Sequence, residues 1–241
     1  MQRSALSVCI ITLVLAGCAA TPKSSYSRLP APLLSTGKRI VPPARPPRPP
    51  PRLTRPRSTG LPTVRLNTRE LIPAGGIKPG RWKTIVVHHS GTPNSSPQSM
   101  HEYHLRRGWS RGLGYHFVVG NGIAYPDGEV FVGPRWKRQI SGAHCKSSSG
   151  RYFGAWRGNN YFNTHGIGIC LIGNFENGPP TPKQLAALAQ LIQFLCAKVG
   201  IDRSEIHGHG EVTHRTACPG KRLDMAQVRH AVNRVYAGTY R

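Results

Sequence analysis

The residues able to do chemistry gather in one stretch, HGHGEVTHRTACPG at residues 207–220, and in the pair His88 and His89 of IVVHHSGT. Imidazole nitrogen and thiolate sulfur are donors that Zn²⁺ prefers, and a catalytic zinc site takes three protein ligands and keeps one position open. His88, His209 and Cys218 could supply that set. Zinc so held lowers the pKa of bound water from about 15.7 to about 7, giving hydroxide at neutral pH. His207 and His214 are spare: His207 could orient a ligand from behind, but a solvent-exposed loop histidine is the expectation. HEYH at residues 101–104 is not the HExxH zinc-protease signature, since the Glu lies between two histidines only three apart. His101 and His104 are therefore expected on the surface or in a groove.

Holding such a set requires a scaffold. WKTIVVHHS, residues 82–90, is a β-branched run and reads as a buried strand that sends His88 and His89 to opposite faces. Only one of them can serve a given site. SPQSMHEYHLRR, residues 96–107, has a Ser cap followed by Pro and reads as a helix. Residues 114–133, GYHFVVGNGIAYPDGEVFVG, read as strand, NG turn, strand, DG turn, strand, with Tyr115 at the start. Residues 136–145 and the Gly-rich SSSGRYFGAWRGNN after them read as loops suited to a polar, partly aromatic groove, where His144 has no firmer role than lining.

GIGICLIG, residues 166–173, is the continuous apolar run of a central strand covered on both faces. At residues 181–199 Thr181, Pro182 and Gln184 form a capping box over an apolar stripe that ends at Gly200. A last helix is expected over 224–236. Strands alternating with helices, with hairpins among them, predict an α/β fold, a mixed central β-sheet flanked by α-helices.

The first third of the chain differs in kind. MQRSALSVCIITLVLAGCAAT has an early Arg, an apolar run too short to span a membrane and a close on small residues, the form of a secretory signal. Leu15 to Cys18 resemble a bacterial lipobox, which predicts a signal peptide over residues 1–17 and a diacylglycerol-bearing Cys18. Acyl chains at about 0.8 kcal/mol per buried CH₂ would anchor the protein to a membrane. The predicted location is the cell envelope, facing the periplasm. The outer membrane is favoured over the inner, because Ala19 is no retention residue. Residues 18–78, with PPARPPRPPPRLTRPR at their centre, lack periodicity and read as a disordered Pro/Arg-rich linker. About sixty such residues span about 40 Å as a coil and about 180 Å if fully polyproline-like.

The formal charge is +24, with 11 bases and no acid between residues 19 and 69, and 21 bases against 9 acids from residue 70 on. That surplus suits an anionic polymer or surface. Nucleic acid is not a specific partner, since no RNP, helix-turn-helix or zinc-finger spacing accompanies the charge and an export signal opposes it. Of the six cysteines, Cys170 and Cys196 lie in apolar runs as small buried hydrophobes, and Cys145 is open to pairing.

Four blocks in order, IVVHHSGT, GYHFVV, GIGICLIGNF and HGHGEVTHRTACPG, resemble the type-2 N-acetylmuramoyl-L-alanine amidases and the related peptidoglycan recognition proteins. The resemblance covers roughly residues 82–235 and implies a zinc amidase domain over 79–241, a mixed sheet with its zinc cleft on one side. Carried over residue by residue, it implies His88, His209 and Cys218 as Zn²⁺ ligands. Tyr115 matches the family's active-site tyrosine, and Thr216 takes a position where relatives carry Lys or Thr near the developing oxyanion. The implied reaction is hydrolysis of the amide between the lactyl group of N-acetylmuramic acid and L-alanine, on peptidoglycan or muropeptides, by a monomer. Some cytoplasmic relatives carry a glutamate in the central strand as general base where this chain has Cys170. Tyr115 and Glu211 remain as candidates for that role. The alternative is a recognition protein that binds without cleaving, but binding-only relatives typically lose the cysteine that Cys218 retains.

Overall fold

The structure is a computed structural model that describes residues 61–62 and 64–239. In chain order the elements are β1 (Thr84–His89), α1 (Pro97–Arg106), β2 (Phe117–Val119), β3 (Val130–Val132) and α2 (Pro134–Lys137). There follow β4 (Gly150–Tyr152), β5 (Ala155–Arg157), α3 (Tyr161–Thr164), β6 (Gly166–Leu171), α4 (Pro182–Val199), a 3₁₀ turn (Arg203–Glu205), β7 (Ile206–Gly208), α5 (His209–Thr213) and α6 (Met225–Thr239). Five strands form one sheet in the order β3-β2-β6-β1-β7, parallel except for the antiparallel β2–β3 edge, and β4–β5 form a separate hairpin. This is the mixed, helix-flanked α/β sheet that the sequence predicts.

Strand alternation divides the side chains between two faces. Ile85 and Val87 of β1, with Ile167, Ile169 and Leu171 of β6, enter the main core beneath α4 and α6. On the opposite face Val86 packs with Phe162 and Val212, and Cys170 with Met100 and Val118. β6 lies between β2 and β1 and is buried along its whole length, as its continuous apolar run requires. The capping box of α4 forms as expected: Thr181 Oγ1 accepts from Gln184 N at 3.0 Å and Gln184 Oε1 from Thr181 N at 3.1 Å. Gln184 also donates to the carbonyl of Ile172 at 2.8 Å and so ties the helix to the end of β6. Gly200 closes α4 in the left-handed conformation that glycine adopts without cost.

Three expectations are corrected. Residues 114–133 hold two strands, not three. Gly122 and Gly128 both take positive φ and Pro126 supplies no donor, so residues 120–129 close on themselves through Gly128 N–Gly120 O and Gly122 N–Tyr125 O bonds, and β2 pairs directly with β3. Residues 136–145 are not simply a groove loop: Trp136 sits in the α2 turn, is fully buried, and donates to Leu71 O at 2.8 Å. The Gly-rich stretch after them forms the β4–β5 hairpin and ends at Asn160, the N-cap of the α3 turn.

Packing also begins inside the stretch read as linker. Leu71 is buried, and Leu61, Val64, Leu66 and Ile77 pack against the main core. The apolar residues between the linker's last prolines are what the core captures. The signal peptide, Cys18 and residues 18–60 of the linker lie outside the described residues.

Candidate metal centre

The three side chains that could hold a metal ion come from separate places. β1 delivers His88 to the face opposite α4, while His89 on the other face accepts from Phe175 N at 3.2 Å. β7, an edge strand not evident in the sequence, runs directly into α5, and its continuation places His209 at the first helical position. The chain then returns so that Gly210 N donates to Cys218 O at 2.6 Å. A Cβ at Gly210 would lie 2.8 Å from Thr216 O, so only glycine lets the cysteine loop close on α5. Glu211 accepts from Gly208 N at 2.7 Å and is held by Arg229 of α6 at 2.8 and 3.0 Å. Its carboxylate braces the β7–α5 corner, which tells against a role as general base.

One ligand atom each from His88, His209 and Cys218 falls within 4.8 Å of the others. The rings of His88 and His209 are 4.6 Å apart, and Cys218 Sγ lies 3.7 Å from His88 Nδ1. Burial lowers the pKa of His88 well below its usual value, with neighbouring His144, His209 and His89 adding to the effect. Burial likewise brings His209 down to about 4. Both imidazoles are therefore neutral at pH 7, with lone pairs free. Burial pushes the Cys218 thiol up to about 12, against the opposing pull of the His89 N–H at 3.3 Å. A buried thiol of this kind ionises when a cation stands beside it. Two neutral imidazoles and one thiolate suit a borderline-soft divalent ion.

His144 is the residue that sequence reasoning placed least well. It is buried directly behind His88, with His144 Nδ1 at 3.0 Å from His88 Nε2 and its own Nε2 at 3.3 Å from Gly166 O. The carbonyl can only accept, so His144 carries its proton on Nε2 and accepts the Nε2 proton of His88. That leaves Nδ1 of His88 bare and facing Cys218. Two glycines make the slot: a Cβ on Gly142 or Gly168 would lie 2.3 or 2.4 Å from the His144 ring. Asn163 Oδ1 accepts from the backbone N–H groups of both His144 and Cys145, at 2.7 and 2.8 Å. Such outer partners typically contribute 10–100-fold in metal affinity. His144→Ala is accordingly expected to weaken metal binding about 10–100-fold in chelator competition. An unchanged affinity in the folded variant would remove this role.

Tyr115 lies beside the donors, its ring 5.2 Å from that of His88. Burial raises its phenol pKa well above the usual value, Cys170 and Cys218 adding to the effect, so it stays protonated and able to donate. Cys170 pairs with His88 in the β1–β6 register, and burial keeps its thiol neutral, which makes it a hydrogen-bond neighbour of Tyr115 rather than a base. Thr216 Oγ1 accepts from Cys218 N at 3.1 Å, and its own proton remains available to a ligand. His209 and Thr216 open on a cleft of about 820 Å³, whose other walls include Trp109, His144, Lys146 and Asn160.

The remaining histidines divide differently from expectation. His207 is not exposed: it is 2 % accessible, covered by the Phe153 ring at 3.7 Å, and near Glu205. His101 and His104 hold the loop before β2, accepting from Leu113 N and Gly114 N at 3.3 and 3.1 Å, and His104 is buried against Trp109. His214 is exposed at the end of α5. Cys145, Cys170, Cys196 and Cys218 are all free thiols.

The N-acetylmuramoyl-L-alanine amidase family model matches residues 78–221, which contain His88, Tyr115, His144, His209, Thr216 and Cys218. The chain belongs to that family. It is 29 % identical over 150 residues to a peptidoglycan-recognition protein of Drosophila simulans, covering 58 % of this chain and 70 % of that protein. With the N-acetylmuramoyl-L-alanine amidase of Sus scrofa it shares 28 % identity over 152 residues, 58 % of this chain but only 22 % of the relative. Among solved structures, the endolysin amidase LysCS from Clostridium intestinale aligns at TM-score 0.51 and 29 % identity, over 64 % of this chain and 84 % of its own.

Proposed function

We propose that this chain is a zinc-dependent N-acetylmuramoyl-L-alanine amidase that hydrolyses the lactyl–L-alanine amide of peptidoglycan or muropeptides. The observation that carries this reading is the intact donor set, His88, His209 and Cys218 converging within 4.8 Å, with His209 lining a cleft. Zinc bound by these three side chains would polarise the scissile carbonyl and acidify water. The chain's own groups do the rest. The Tyr115 phenol and the Thr216 hydroxyl donate toward the oxygen on which charge develops as the amide carbon becomes tetrahedral, where fixed donors contribute most. His144 holds His88 in the tautomer that presents a lone pair. The three-donor set, complete with Cys218, favours hydrolysis over the binding-only alternative.

We further propose export by the signal over residues 1–17, lipidation at Cys18 and a periplasm-facing membrane location, with the Pro/Arg-rich segment as the tether. The lipobox-like LAGC and the absence of acids from residues 19–69 support this. The test of activity is mass spectrometry of products from defined muropeptides with and without a metal chelator. Free stem peptide is expected only with metal present. Release that continues in fully demetallated protein would defeat the zinc mechanism.

A further inference from the structure

The β4–β5 hairpin is rigidly mounted yet presents its largest side chain to solvent. Phe153 and Gly154 form its turn, with φ of 49° and 83°, the left-handed pair of a type I′ hairpin turn. The Phe153 ring lies flat on His207, with centroids 3.7 Å apart and planes 4° from parallel. Tyr152 packs edge-on against Phe162 at 5.1 Å and donates to Ser148 O at 3.0 Å. Arg157 is ion-paired with Glu205 and stands 4.6 Å from the Tyr161 ring. These contacts all use one face of the hairpin and its turn.

The other face carries the cross-strand pair Arg151 and Trp156. Trp156 is 72 % exposed, the most accessible of the large hydrophobic side chains among the described residues. Arg151 is exposed beside it, its guanidinium donating to Gly154 O at 3.2 Å. Both roots of the hairpin line the metal cleft, Ser147 and Ser148 before β4 and Asn159 and Asn160 after β5. The hydroxyl of Ser147 is buried there with no hydrogen-bond partner.

We infer that this hairpin is a docking surface for the glycan strand of polymeric peptidoglycan, with Trp156 stacking on a sugar ring and Arg151 facing the polymer's carboxylates. The inference rests on the amidase reading. The scissile amide is separated from its own sugar only by the lactyl group, so a polymer held at His209 must lead its further sugars out over the rim of the cleft. Pyranose C–H bonds carry partial positive charge and the indole face partial negative charge, which favours face-on stacking. One indole with one arginine on a pinned hairpin matches a narrow polymer better than a bilayer, which needs a broader apolar surface. The hairpin therefore makes the polymer, rather than the soluble fragment, the preferred substrate.

The test compares the full chain with its Trp156→Ala and Trp156→Phe variants, all in a Cys18→Ser background that removes the lipid attachment point. Binding is read by co-sedimentation with purified sacculi, and hydrolysis on sacculi and on a soluble monomeric muropeptide. Trp156→Ala is expected to weaken sedimentation and raise KM on sacculi about threefold to tenfold, the size of one lost aromatic contact. Hydrolysis of the soluble muropeptide should stay at the wild-type rate, and Trp156→Phe should keep most of the binding. Unchanged sacculus binding, or an equal loss on both substrates, would overturn the inference. So would a loss confined to binding of phosphatidylglycerol vesicles. If no variant cleaves either substrate, the amidase reading fails, while sedimentation still reports on the hairpin.

Discussion

Cys218→Ser is expected to abolish zinc binding and reduce peptide release to background. The sulfur lies 3.7 Å from His88 Nδ1, so the two atoms can share one ion, and the thiolate brings the only negative charge among the three donors. A serine hydroxyl has a shorter reach and does not ionise at neutral pH, which leaves two neutral imidazoles to hold a divalent cation. The fold should survive, because the backbone bond between Gly210 and Cys218 and the pairing of Glu211 with Arg229 still fix the loop when the sulfur that accepts from His89 N is replaced by oxygen. Elemental analysis for zinc, peptide release and a thermal melt on the same preparation decide the matter. Full zinc occupancy with near-normal turnover in the serine variant would mean that the centre is built from other atoms.

For Tyr115→Phe a different signature is expected. Zinc content and KM should barely move, while kcat falls about 10²–10³-fold, roughly 2.7–4 kcal/mol, the effect of removing one fixed donor to a developing oxyanion. The ring stays in place because its packing partners remain. Tyr115 sits against His88 on one side and His104 on the other, at 5.2 and 5.8 Å between ring centroids. Only the hydroxyl is lost. Its raised pKa means that it donates, rather than removes, a proton at neutral pH, so the rate loss should be nearly constant across about pH 6–9. A variant that loses zinc as well, or whose deficit appears only in KM, would show that the hydroxyl supports binding instead of the reaction. Steady-state kinetics on a defined muropeptide, with metal content measured in parallel, distinguishes these outcomes.

Local signals account for most of what the sequence alone determined. The box of Thr181 and Gln184 and the glycine after Val199 bound α4 because capping is satisfied within one turn of the chain. The apolar run at residues 166–171 became the buried strand β6, and the alternation of β1 sent His88 and His89 to opposite faces. The residue types of the centre, and the family to which they point, were also legible, since zinc chemistry restricts its donors to so few side chains. The set His88, His209 and Cys218 was likewise named from residue type and the family resemblance, whereas spacing alone could not join His88 to Cys218, 130 positions away, which meet once β1 and β7 lie side by side.

Only the tertiary structure decided the histidines. His207 and His144 look alike in sequence, each in a glycine-containing, loop-like stretch. His207 is buried because a hairpin remote in the chain lays Phe153 across it. His144 stands behind His88 because Gly142 and Gly168 leave a slot the width of an imidazole. The same holds for Glu211, whose partner Arg229 comes from a later helix, and for Leu71, which a proline-rich neighbourhood disguised as linker. Except for Gly142 beside His144, the deciding neighbours come from other elements of the fold, and burial and hydrogen bonding, rather than residue type, assign the role.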